Sequence, residues 1–482
     1  MTTRSDCNAM QQFNRTDRPL RILFAKAQAR RAPRLPRCKA AISALCIGVG
    51  LLGSLISMRA TAADELTAVG AVRTGNAEGT IPAWTGGLAA SDIPTSYKAG
   101  NRYVDPFVND EPRFVITAEN FRDHLDHLSL GHQALFEKFP NYRMPIYSTR
   151  RSVVYPEPIQ RETNANIDRA RMVGVDAIEG AKLGFPFPMP RSGAEVLWNH
   201  RLRYRGDAVH WDNWQSVVFP GGDERRIRIQ EWSVFGYANL SDDRKPDPDS
   251  VLHYTIYRAA PTQCAKQLYM WHEALNPTQK ARNQWGKCAD FRAFRLAHMG
   301  HDDFSIGSEQ LRYFDMLDMF SGEFDRYTYR LLGKREIYIP YNAYRLSDGR
   351  YKMDELLSRP HFKQEGTRYE LHRVWVVEAS LRPNETHSIS KRRFYVDEDS
   401  WTIALVDLYD DGDGLSRFQE GHLTFLYDPQ TVEPMPQIVY DLRDSRYFAT
   451  RLIAETGPPD FRTHNLSAGL FTPGRLHSWH NR

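Results

Sequence analysis

Cysteine is scarce in this chain, with five among 482 residues, and three of those, Cys7, Cys38 and Cys46, fall within the first 62. Only Cys264 and Cys288 remain beyond them, and no cysteine spacing matches a thiolate metal site. Also missing are a Gly-x-Ser-x-Gly nucleophile elbow and a phosphate-binding loop, which removes the commonest hydrolase and nucleotide signatures. His272-Glu273-Ala274-Leu275-Asn276 falls short of the zinc-protease pattern, because Asn276 stands where a second imidazole must share the helical face. Gly48-x-Gly50-x-x-Gly53 has dinucleotide-binding spacing, but no strand precedes it and its apolar run yields such spacing by chance. No Gly/Ser linker, charge block or low-complexity segment marks a domain boundary.

An excess of positive charge is missing as well. The net charge is +4, but residues 1–62 carry 11 Lys/Arg against 2 Asp/Glu, so +9 in the leader leaves −5 for the rest. An acidic body argues against a nucleic-acid partner. Residues 40–58, AAISALCIGVGLLGSLISM, form an uncharged apolar run behind Arg30, Arg31, Arg34, Arg37 and Lys39 and ahead of Ala60-Thr61-Ala62. This reads as a secretory signal peptide cleaved after Ala62, the alternative being an uncleaved N-terminal anchor. The organisation expected is a leader over 1–62 and a single large β-rich domain over 63–482. In an oxidising periplasm Cys264 and Cys288 favour one disulfide, closing a loop of about 25 residues and contributing roughly 3–4 kcal/mol on the chain-entropy account. Two separate buried thiols are the alternative.

What is present is a meander. From Gly366 to Asp428 strand-like segments alternate with polar turns: Tyr369–Leu381, Lys391–Val396, Trp401–Tyr409 and Leu415–Tyr427, separated by Pro383-Asn384-Glu385, Asp397–Ser400 and Asp410–Gly414. Trp401 to Leu408 is apolar on both faces and so needs cover on both sides. Gly333 to Pro340 reads as another strand, as do segments within Trp211–Leu240 and Val251–Tyr257. Thr117–Phe139 carries apolar residues at helical spacing and predicts one helix ended by Pro140, and a weaker helix is expected over Thr163–Glu179. The prolines of Gly184–Pro190 force extended backbone, and Trp198–Gly206 reads as a strand. Cys264–Cys288 reads as a helix or loop, and residues 64–87 as an ordered coil packing Trp84 against the body.

Several polar groups are candidates for chemistry. His124, His127 and His132 are spaced three and five apart, which does not bring them to one helical face. Asn199 and His200 have no nucleophile beside them and read as hydrogen-bonded structural groups. His298, His301, Asp302 and Asp303 form the better metal-type cluster, although a solvated polar loop has the same composition. Asp411, Asp413, Gly414 and Glu420 resemble a calcium loop, yet Tyr409 holds its first position and strands flank it, so a hairpin turn is the reading. No catalytic residue, metal ligand or cofactor is assigned.

RYELHRVWVVEA, KRRFYVDEDSW and YDLRDSRY, with the Gly-Thr-Ile-Pro-x-Trp-x-Gly-Gly stretch near Ile81 and the segments 314–327 and 333–344, resemble the proteobacterial family called domain of unknown function 1329, which is outer-membrane lipoprotein-sorting-like. The family's Pro-Gly-Gln-Arg-Arg segment has no counterpart here; Trp285 to Arg295 occupies that part of the chain. The resemblance implies a mainly β fold with packed helices, a large curved antiparallel sheet forming a half-barrel of the lipoprotein-carrier kind. It implies a non-enzymatic periplasmic carrier for a hydrophobic small molecule or lipid, peripheral to the outer membrane. The partners it implies are an outer-membrane barrel protein and an inner-membrane exporter of the resistance-nodulation type. If the meander holds a groove, Trp375, Val377, Phe394, Trp401 and Ile403 are the expected lining; otherwise these five are ordinary core. Two other readings stay open: a metal-dependent periplasmic hydrolase using the His298–Asp303 cluster, and a scaffold of an envelope transport complex without a small ligand.

Overall fold

The computed structural model describes residues 65–481 except 242–250, 261–266, 277–279, 281, 289–292, 296–301, 413 and 464. The expected leader and signal peptide lie outside the described residues. Strand β1 (Phe114–Thr117) is followed by helix α1 (Leu130–Lys138), β2 (Arg143–Ile146), α2 (Glu157–Arg169) and a small hairpin, β3 (Arg171–Val173) with β4 (Ala177–Glu179). Helix α3 (Gly193–Arg201) then leads into β5 (Ala208–Val218), β6 (Glu224–Phe235), β7 (Val251–Ala260), β8 (Gln267–Ala274), β9 (Asn283–Lys287) and β10 (Phe294–Arg295). The second half holds β11 (Tyr327–Pro340), β12 (Tyr369–Leu381), β13 (Lys391–Asp397), β14 (Ile403–Tyr409), β15 (Leu415–Leu426), β16 (Thr431–Asp441) and β17 (Tyr447–Leu452).

All but the β3–β4 hairpin join one fifteen-stranded sheet. Its long path runs β12-β13-β14-β15-β16-β17-β5-β6-β7-β8-β9-β10, with β11 along the free side of β12 and β2 and β1 attached at the start of β12. Pairing is antiparallel apart from the single parallel contact Tyr369↔Ile146. The path has two ends, so this is the mainly β fold with one large open sheet expected from the sequence. Its halves meet where β17 pairs with β5, Phe448 opposite Val217.

The meander forms where the alternation placed it, and β14, apolar on both faces, is buried along its whole length. Each face is covered through a glycine. On one side α1 lies so close that a Cβ on Gly131 would fall 1.9 Å from the Phe418 ring, and the Gly131 amide donates to Asp407 at 2.9 Å. On the other side α3 lies over β12, where a Cβ on Gly193 would meet Val377 Cγ1 at 2.7 Å.

Local capping overrides periodicity in the first half. The single helix expected over Thr117–Phe139 is a 3₁₀ segment (Phe121–His127) and then α1, broken at Leu128 (φ −112°, ψ 137°), because the Ser129 side chain accepts the His132 amide and starts a new helix. The weaker helix begins earlier than expected, with Pro158 in its first turn, and ends at Arg169, where the β3–β4 hairpin takes over. The strand expected at Trp198–Gly206 is instead the end of α3 and a coil: Ser192 accepts the Glu195 amide at 3.3 Å, and the Glu195 carboxylate returns to the Arg191 amide. Cys264–Cys288, expected as helix or loop, contains β8 and β9. Cys288 is disulfide-bonded; Cys264, its expected partner, lies outside the described residues. Trp84 packs as expected, its indole N–H donating to the Val153 carbonyl.

A second, smaller core lies on the other face of β6 to β9. Trp232, Val234, Ile256, Leu268 and Met270 are covered there by the C-terminal tail through Leu466, Phe471, Leu476 and Trp479.

Candidate functional site

Strands β6, β7 and β8 are apolar where they meet the C-terminal tail and polar on the opposite face. Glu231, Ser233 and Phe235 alternate with Trp232 and Val234, while His253, Thr255 and Tyr257 alternate with Tyr254 and Ile256. The register sets Glu231 opposite Tyr257, Ser233 opposite Thr255 and Phe235 opposite His253, with Thr255 opposite Trp271 and His253 opposite Glu273 on the next strand. A buried face of that composition demands partners. The Ser233 and Thr255 hydroxyls bond to each other at 2.8 Å, and Ser233 Oγ lies 3.1 Å from Glu231 Oε1.

These side chains floor a cavity of about 80 Å³. The end of α3 (Arg201, Leu202) and the coil after it (Arg203, Arg205) wall it, Arg282 and Arg451 enter from the sides, and a cap made of Phe314, Leu317, Asp318, Phe320 and Ser321 closes over it. Drug-sized pockets run to roughly 300–1,000 Å³. In this conformation the cavity therefore suits a small polar group, and a longer guest requires the cap to move.

The lining holds five guanidinium groups and three carboxylates. Arg201 and Arg282 share Glu273, with Arg201 at 2.7 Å. Arg203 and Arg205 share Asp318, at 2.5 and 3.1 Å, Arg205 reaches Glu433 at 2.9 Å, and Arg451 pairs with Glu231 at 2.6 Å. Burial alone would raise the Glu273 and Asp318 carboxyls, but the guanidiniums outweigh it and hold both below the usual carboxylate range. Burial pushes His253 down to about 4 and His200 down to about 3, so both imidazoles are neutral at pH 7.

The cap is tied down by apolar packing of Met316, Met319 and Phe320 into the main core and by polar groups. Asp318 and Met319 have φ of 51° and 66°, a left-handed conformation that costs a non-glycine residue about 1–3 kcal/mol and persists only where its surroundings enforce it. The two Asp318 ion pairs do so, together with His200 Nε2 donating to the Asp318 carbonyl at 2.9 Å and Arg201 donating to the Gly322 carbonyl at 2.6 Å.

The five residues expected to line a groove lie elsewhere. Val377, Phe394, Trp401 and Ile403 are buried in the main core, and Trp375 packs half-buried against it. Trp375 stacks on Trp401 (centroids 6.1 Å apart, 12° between planes), and Lys334 sits 4.6 Å over the Trp375 ring. Trp401 Nε1 donates to the Val69 carbonyl at 2.8 Å, and Phe394 meets Phe320 edge to face at 5.2 Å. None of the five lines the cavity. Helix α3, whose last residues from Trp198 read as a strand in the sequence, occupies the space over Val377.

Asn199 and His200 are fully hydrogen-bonded, Asn199 spanning both backbone groups of Phe187 at 2.9 and 2.7 Å. His127 and His132 diverge, one to the Glu336 carbonyl and the other to Glu420. Of the His298–Asp303 cluster, His298 and His301 lie outside the described residues. His372, Asp397 and Asp399 bring one ligand atom each within 4.8 Å of one another. Their other contacts make a charge network: Arg151 grips Asp399 at 2.6 and 2.9 Å, His372 Nε2 faces Glu370 at 3.2 Å, and Ser400 donates twice to Asp397. The cavity arginines had one sequence signal, the alternation Arg201-x-Arg203-x-Arg205; their partners Glu231, Glu273 and Asp318 are too scattered along the chain to be read from it.

The fold and site define a mainly β protein with an open sheet and a capped, arginine-rich cavity. Residues 115–477 match the family described as "Protein of unknown function (DUF1329)", and the chain belongs to that family. A Pseudomonas aeruginosa relative described as "Uncharacterized protein PA3922" is 36% identical over 441 residues, covering 89% of this chain and 96% of its own. Among solved structures, a Vibrio parahaemolyticus domain described as of the outer membrane lipoprotein-sorting kind is similar at TM-score 0.40 and 13% identity, covering 59% of this chain and 98% of that one. A DUF1329 family protein from Desulfovibrio piger is similar at TM-score 0.36 and 12% identity, covering 56% and 92%. At that level neither structure bears on ligand or site. No helix among the described residues is long and apolar enough to cross a membrane.

Proposed function

We propose that this protein is a non-catalytic binding protein of the bacterial cell envelope that carries a lipid or other apolar molecule. The observation behind this reading is the capped cavity, where Phe235, Leu252, Trp271, Phe314 and Phe320 stand beside the polar floor and the cap combines buried Met316, Met319 and Phe320 with the two Asp318 ion pairs. Asp318 at the centre of the cap is held in a left-handed conformation by those ion pairs, so their exchange with water is the step by which the cap would lift. The signal peptide expected in the leader supports a periplasmic setting for such a carrier. The family resemblance supports transit to or from the outer membrane, with an outer-membrane barrel protein and a resistance-nodulation-type exporter as partners.

The test is mass spectrometry of organic extracts from protein purified out of the periplasm, with a Leu252→Trp variant that fills the cavity. A stoichiometric lipid, lost in the variant while its fold is retained, supports the carrier. If the purified protein carries no lipid and binds none that is added, the carrier reading fails. A scaffold without a small ligand is then preferred, a reading supported by the tightly filled space between α3 and the meander.

A further inference from the structure

We propose that the cavity seats one anionic group, a carboxylate or a phosphate, at the polar end of the carried molecule; this inference rests on the carrier reading. Charge is the first reason. The lining guanidiniums outnumber the carboxylates five to three. Asp176 and Glu323 offset Arg201, and Glu433 offsets Arg205 and acts on Arg451, so the excess that remains lies beside Arg451, where Arg205, Arg312 and Arg451 face Glu231 and Glu433. There Arg312 acts on the same groups, Tyr257, Arg451 and Glu231. Among the described residues no carboxylate pairs with Arg312; its Nε donates to Ser305 Oγ at 2.9 Å, and its guanidinium lies 4.7 Å over the Phe448 ring. Burial pushes Arg312 down to about 10, which an added anion would reverse.

Unmet donors are the second reason. Arg451 Nη1, Arg203 Nε and Arg201 Nε are buried without a hydrogen-bond partner, in residues that are 9%, 3% and 9% exposed and that line the cavity. Bare donors on buried cations are unfavourable, and a carboxylate or phosphate accepts from such guanidiniums in the geometry they prefer. Size is the third. About 80 Å³ admits a head group without an alkyl chain, so the preformed space fits the polar end of an amphiphile, whose chain would run under the lifted cap past Phe320 and Leu252.

The experiment measures binding of palmitate, methyl palmitate and inorganic phosphate to the full chain by equilibrium dialysis. Palmitate is expected to bind at least about tenfold more tightly than its ester, the ratio one well-made charged contact supplies. The paired substitution Arg451→Met with Glu231→Gln removes a cation and its partner together, leaving no lone buried charge. It is expected to shrink that ratio while ester binding holds. Equal binding of acid and ester overturns the anionic seat and leaves the carrier reading intact, whereas binding of neither overturns both. Phosphate binding as tight as that of palmitate, with no ester binding, makes this a free-anion site and overturns the amphiphile. If the paired variant does not fold by near-ultraviolet circular dichroism, the acid-versus-ester comparison on the unaltered chain decides alone.

Discussion

The backbone amide of Ile403 donates to Nδ1 of His200 at 3.2 Å, tying the end of helix α3 to the first residue of strand β14. Nε2 of the same ring donates to the Asp318 carbonyl at 2.9 Å, so one neutral tautomer satisfies both bonds and links sheet, helix and cap. A proton on Nδ1 would set two N–H groups against each other. The unfolded imbalance follows from the pKa values: the free imidazole titrates near 6.5 and the folded one near 3. The stabilisation is therefore complete above 6.5 and is lost as pH falls toward 3. His200→Gln should lower stability at neutral pH yet lose less of it on acidification, which urea unfolding midpoints across that range would show; parallel curves would refute the role.

Asp397 should behave with the opposite sign. Burial raises its carboxyl to about 6 against the pull of His372, with Asp399 and Glu398 adding to the rise. A raised acid contributes stability below its unfolded value of 3.8 that is lost as pH rises through about 6. Relative to the natural chain, Asp397→Asn should be at its worst in acid and recover as pH rises through that window, as read by denaturant unfolding. A difference that does not vary with pH would mean that the carboxyl is already ionised at its usual value.

Asp318→Asn leaves Arg203 and Arg205 without their shared carboxylate. Breaking a buried pair from one side typically costs about 3–5 kcal/mol, and Asp318 is partly exposed, so about 3 kcal/mol is expected. Amide exchange should accelerate in residues 314–321 before it does in β6 or β7. Uniform acceleration would show that the cap is not a separate unit.

Gly193→Ala should destabilise by about 1–3 kcal/mol through overpacking, since the new Cβ lies 2.7 Å from Val377 and 3.1 Å from the Tyr329 backbone. Thermal unfolding measures it. A neutral result would mean that α3 can slide on β12.

The meander was legible because its strands are short runs of β-forming residues, alternating or apolar on both faces, and its turns carry Asp, Gly and Pro, information held within a dozen residues. Helix α3 was not. The prolines before it argue for extended chain, and the deciding signal, Ser192 with Glu195, is one short-range cap competing with that pattern. The sequence leaves groove and core open for Val377 and Trp375, because an apolar strand face looks the same under a helix as under a guest. The cavity was hidden for another reason. On β6 to β8 the polar face is buried as well as the apolar one, and a strand alternating Glu, Ser and Thr with Trp, Val and Ile reads as half solvated until the chain that covers it is known.

The pairing of β17 with β5 joins residues roughly 230 positions apart, and contacts so distant in sequence form late and slowly. A chain emerging from its amino end makes β5 long before β17 exists, so one long edge of the first half waits, unpaired, for nearly the last segment to arrive. The native sheet is thus completed only after synthesis is almost finished.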